Sequence, residues 1–169
     1  DELEFEIRST MLNPLFINSL FNTNAGQLSY AAKMQNLYGG LIVANIKLNT
    51  QLGNDIANTY IGLADRVNNV VQAAAWQSMA AWMMYLNYQG KWDASPELVT
   101  KLADNMIKMA IQYGVACCHH TCKNLDFNMK LIQSSSLSAS EKAKYSQILA
   151  EATLTDPIFV DDSSTNNPD

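Results

Sequence analysis

The stretch "GVACCHHTCKN", Gly114 to Asn124, gathers Cys117, Cys118, His119, His120 and Cys122, which are all the cysteines and histidines of the chain. Thiolate and imidazole are the donors that zinc, cobalt and nickel select. On a helix Cys118 and Cys122 stand four apart and face one way, with His119 three before Cys122. Cys117 and His120 share a neighbouring face. One turn therefore offers two thiolates and an imidazole. A closed structural zinc site takes four ligands, usually with a pair from a distant segment. No Cys or His elsewhere supplies that pair. The fourth ligand would be water, a carboxylate such as Asp126, or a group from another part of a parent protein.

Rival chemistries fit the spacing less well. Haem attachment of the c type needs two residues between the cysteines and a histidine directly after, whereas "CHHTC" has three and no such histidine. A C-x-x-C redox pair is absent, although adjacent Cys117 and Cys118 can form a strained vicinal disulfide. Three readings stay open on the residues alone: metal or tetrapyrrole-related ligation, a structural or inert cluster, and thiol chemistry. Carboxylates offer little, because Glu2, Glu4, Glu6, Asp161 and Asp162 read as solvated surface and acid–base work needs burial. Trp76, Trp82, Met83 and Met84 invite a cofactor reading, yet Met and aromatic residues at helical spacing are ordinarily core.

The elements that must position the cluster read as helices. Apolar spacing predicts one from Ser29 to about Lys47, weakened by Gly39-Gly40, a second from Asn54 to Leu63, and a third from Ala73 to Gln89 with Gly90 as terminator. The third carries a stripe of Trp76, Met79, Ala80, Met83 and Leu86. Ser95, Pro96 and Glu97 are N-cap, first-turn and dipole residues for a fourth. It buries Leu98, Val99, Leu102, Met106, Met109, Ala110 and Tyr113 and ends at Gly114, just before the cluster. "LDFNMKLIQ" predicts a short helix, and "SASE", Ser138 to Glu141, is a capping box for a last one reaching about Ala152. The fold class is all-α, an irregular bundle of about five to seven helices.

Length and composition set bounds. The chain has 169 residues, 48% hydrophobic and 16% charged, which suits one domain with a true core. Its net charge of −5, with no basic cluster, argues against nucleic acid as a partner. The longest apolar stretches fall short of the roughly 18 residues a membrane span requires. The acidic opening "DELEFEIRST" carries no signal sequence. Residues 1–153 form the helical region. Residues 154–169, acidic and proline-punctuated, read as a polar linker or tail.

Three colinear stretches carry a family resemblance. "RSTMLNPLFINSL", Arg8 to Leu20, resembles a segment of the large subunit of cobaltochelatase, a relative of the magnesium chelatase large subunit. "MQNLYGGLIVANIKLNTQLGNDIANTYI" is similar to the region that follows there, and "AAAWQSMAAWMMYLNYQGKWDAS" to the next, in the same order. Together they span about Arg8 to Ser95. The helix after Ser95 and a Cys/His run before a polar linker are similar to extended archaeal-type versions.

The resemblance implies the C-terminal helical part of a larger, mixed α/β subunit that inserts a divalent metal, here expected to be cobalt, into a corrin or porphyrin ring. ATP enters only through AAA-type partner subunits. The residues that handle metal and ring lie upstream in the family, so no catalytic residue is carried over, and the cluster is expected to hold or relay incoming Co²⁺ or Ni²⁺. Leu15, Phe16, Ile17 and Asn18 stand where the family has Lys-Trp-Ile-Glu, and a His-Gly-Tyr is replaced within "FNTNAG". Such losses suit a non-catalytic surface or binding descendant as well as a working enzyme. A biosynthetic chelatase would be cytoplasmic; a surface paralogue would be extracytoplasmic, held by a downstream membrane anchor.

Overall fold

The computed structural model describes residues 2–19, 37, 39–41, 44–116 and 125–152, and among them there is no strand. Among the described residues the α-helices follow in order: α1 Glu2–Met11, α2 Pro14–Ser19, α3 Thr50–Leu63, α4 Val70–Tyr88, α5 Pro96–Tyr113, α6 Leu125–Ser134 and α7 Ala139–Ala152, with a 3-10 turn at Ala64–Arg66. Leu37 and residues 39–41 are helical as well. The all-α architecture expected from the spacing is present. The cluster Cys117–Cys122, most of the predicted 29–47 helix and the tail from residue 154 lie outside the described residues.

Side chains set the helix starts. Asn49 accepts from the Leu52 N–H at 3.0 Å, and Asn69 accepts from the Gln72 N–H at 2.9 Å. These N-caps begin α3 and α4 a few residues ahead of the apolar pattern that predicted Asn54 and Ala73, because a capped polar turn needs no buried face. Ser95 caps α5, and Pro96 opens it. The capping box before α7 is reciprocal: the Glu141 N–H donates to Ser138 Oγ at 3.2 Å, and the Ser138 N–H to Glu141 Oε1 at 3.2 Å.

Left-handed residues set two of the ends. Gly90 has φ 74°, and the Lys91 N–H bonds back to Leu86 O at 2.8 Å. Asn45 has φ 57°, with the Ile46 N–H on Leu41 O at 3.0 Å. Both are Schellman closures. The second corrects the predicted helix through Lys47: residues 44 and 45 are turn and 46–49 carry no regular structure, since an asparagine tolerates the conformation that stops a helix.

α4 is the central element, packed by α3, α5 and α6. Every residue from Gln72 to Met84 is buried, so the predicted stripe is one side of a helix buried on all sides. Alanines at 73–75, 80 and 81 make this feasible by letting neighbouring backbones approach. Trp82, at the stripe's edge, and Trp92, in the connection after α4, are both core. α5 also packs on α3 and α7, and α1 on α3.

Buried polar links fasten this core. The Tyr60 hydroxyl of α3 donates to Met11 O at the end of α1, at 3.1 Å. The Trp76 indole N–H of α4 donates to Tyr60 O at 2.6 Å. Glu4, expected to be merely solvated, accepts from the Asn49 N–H at 2.6 Å and so ties α1 to the start of α3.

Candidate functional site at the α5–α6 connection

Cys117, Cys118, His119, His120 and Cys122 lie in the connection between α5 and α6, outside the described residues. The structure does define how the chain enters and leaves that connection.

The entry is held firmly. Gly114 takes the left-handed conformation at φ 67° and its N–H bonds to Ala110 O, closing α5. A side chain there would meet the Cβ penalty that glycine avoids. One residue further, Val115 O accepts from the Gln77 side-chain amide at 3.1 Å, and the same nitrogen donates to Met106 O at 3.2 Å. Gln77 is buried in the middle of α4, so the amide joins the central helix to α5 and to the segment that leads into the cluster. Ala116 is buried as well.

The exit is held by aromatic packing. Phe127, in the first turn of α6, is buried and meets Tyr85 of α4 edge-on, with centroids 5.4 Å apart at 88°. Tyr88 lies 5.7 Å from the same ring, and Trp82 stands edge-on to Tyr85 at 6.3 Å. Edge-to-face rings stabilise beyond their area alone. Further along, Thr100 of α5 donates to Ser134 O at 2.8 Å, securing the far end of α6.

The α6–α7 turn is fastened by a carboxylate. Asp104 Oδ1 accepts from Ser135 Oγ at 2.6 Å and from the Ser136 N–H at 2.8 Å, and Oδ2 accepts from Ser136 Oγ. Burial pushes the Asp104 pKa up. The Ser135 and Ser136 hydroxyls, the Ser136 N–H and the Lys108 charge outweigh it and hold the carboxyl below its ordinary value.

Metal ligation has no second source in this framework. Among the described residues no three His, Cys, Asp or Glu side chains gather. A soft-metal shell would draw on residues 117–122, with Asp126, exposed in the first turn of α6, as a carboxylate close in sequence. Gln77 is the positioning residue that apolar spacing misses. Its signal was a lone amide inside "AAAWQSMAAW", where a buried polar group must find partners. Asn128 of α6 differs: its Oδ1 is buried with no hydrogen-bond partner among the described residues.

The fold and these fixed ends define an all-α bundle with a donor-rich connection between two anchored helices. Neither a family model, nor a curated protein, nor a solved structure matches the chain.

Proposed function

We propose that this helical unit is scaffold in a chelatase-like large subunit, and that its connection at residues 117–122 holds or relays the incoming divalent ion. The observation that supports the scaffold reading is where the resemblance falls. Its three stretches, far apart in the sequence, supply the polar links of one core: Met11 O from the first, Tyr60 from the second, Trp76 from the third. Gly53 and Trp92, from the second and third, pack directly on each other. Residues with such duties mark a shared framework rather than a reacting centre.

The ion is cargo here. Thiolates with imidazole favour cobalt, nickel or zinc over magnesium, which prefers oxygen. Gln77 and Phe127 anchor the flanks and so reduce the ordering cost of gathering donors between them. The tetrapyrrole ring, the AAA-type partners and ATP engage through the rest of a parent subunit.

Co²⁺ titration of the reduced protein tests the relay. Thiolate-to-cobalt charge-transfer absorption is expected, and its loss in the Cys118→Ser, Cys122→Ser double variant. Unchanged Co²⁺ affinity in that variant sinks the metal role. A second reading, a non-catalytic binding protein on the same framework, draws on Leu15, which is 80% exposed where the resemblance would put a lysine.

A further inference from the structure

We propose that the groove where α4, α5 and α6 meet binds a small amphiphilic anion, an organic acid whose apolar body lies in the groove while its acidic group meets Lys130. This goes beyond the metal role and does not depend on it. The groove has a volume of about 570 Å³, within the roughly 300–1,000 Å³ typical of small-molecule pockets. Its apolar lining includes the buried side chains of Met84, Phe127 and Leu131, with the half-buried Val99 and Tyr88 beside them.

The polar lining is mostly committed elsewhere. The Thr100 hydroxyl donates to Ser134 O at 2.8 Å, the Ser134 hydroxyl to Lys130 O at 2.8 Å, and the Asn87 amide to Trp92 O at 2.9 Å. The Lys130 ammonium is different. Lys47 pairs with Asp93 and Lys101 with Glu97, whereas Lys130 has no carboxylate within ion-pair distance among the described residues. It is also the only formal charge among the groove's lining residues. A single cation beside apolar side chains suits one acidic group on a greasy body, because the charge-assisted contact orients the ligand and apolar burial adds to the affinity. A polyanion would find a single contact here and gain little.

The full chain is titrated with two fluorescent probes of like shape, anilinonaphthalene sulfonate, an anion, and N-phenylnaphthylamine, which is neutral. Each is expected to show one saturable site on the folded protein. Val99→Trp fills the groove and removes both. Lys130→Gln weakens the sulfonate about tenfold, the equivalent of one charge-assisted contact, and leaves the neutral probe unaffected. Circular dichroism verifies the fold of each variant. Lys130 is exposed, so that comparison decides even where Val99→Trp fails to fold. Equal sulfonate affinity in Lys130→Gln and the parent chain overturns the proposal. Equal weakening of both probes, or binding that never saturates, also overturns it.

Discussion

The pyrrole edge of the Trp92 indole rests directly on the bare Cα of Gly53 in α3, so closely that a Cβ at position 53 would overlap the ring. Trp92 is fully buried and its backbone carbonyl is held by the Asn87 amide at 2.9 Å. The ring has nowhere to retreat.

Gly53→Ala therefore sets two effects against each other. Replacing a glycine within a helix by alanine favours the helix by up to about 0.5–1 kcal/mol. Forcing a methyl against a locked ring costs about 1–3 kcal/mol. Overlap wins, and a net loss of about 1–2 kcal/mol is expected, read as a melting temperature lower by roughly 2–8 °C. Gly53→Ala combined with Trp92→Leu should cost less than the sum of the two single changes, since the smaller side chain makes room. Simple additivity would show that the contact is not the cause.

This pair also marks where sequence reading stops. Helix type, the Ser95 and Ser138 caps and the Gly90 and Gly114 ends were legible, because capping and left-handed residues act over a few positions. Trp92 falls past the Gly90 terminator, outside any apolar spacing. Its burial depends on Gly53, which lies in another helix, and no local pattern encodes that meeting. The same reason hid Glu4 on Asn49 and Asp104 on Ser135 and Ser136. α4 read as one-sided because periodicity registers contrast around a helix, and a helix buried on all sides has little. Of the candidate site, the donor-bearing residue types were legible at once, while the anchoring by Gln77 and Phe127 came from tertiary packing.

Asp104 predicts a pH dependence. Its folded pKa lies below the unfolded value, so the stabilisation is complete above the ordinary aspartate range and is lost as pH falls through the lowered folded value. The unfolding free energy of the parent chain minus that of Asp104→Ala should be constant near neutrality, at about 1–2 kcal/mol for hydrogen bonds to a partly exposed charge. It should shrink only in acid. A difference that instead grows toward low pH would mean the carboxyl is not held ionised by the two serines. Faster amide exchange at Ser136 in the variant, with α1 unaffected, would place the loss at the α6–α7 turn.

Gln77 predicts a separation between stability and local order. Gln77→Leu keeps the size of the side chain and removes the amide that serves Met106 O and Val115 O. Met106 O sits in α5, where the helical partner Ala110 N–H continues to serve it, whereas Val115 O lies past the Gly114 cap, where Gln77 supplies its donor. Leaving such a carbonyl without its donor costs about 1–3 kcal/mol. The larger effect should be local: hydrogen exchange at Val115 and Ala116 should rise well before that of mid-α5 amides such as Leu102. If the anchored entry also helps residues 117–122 collect Co²⁺, Gln77→Leu should weaken cobalt binding while keeping the thiolate charge-transfer band at saturation, because the donors remain and only their ordering becomes more costly. Uniform exchange across α5, with cobalt affinity unchanged, would reduce Gln77 to a packing residue and remove the entry anchor from the functional argument.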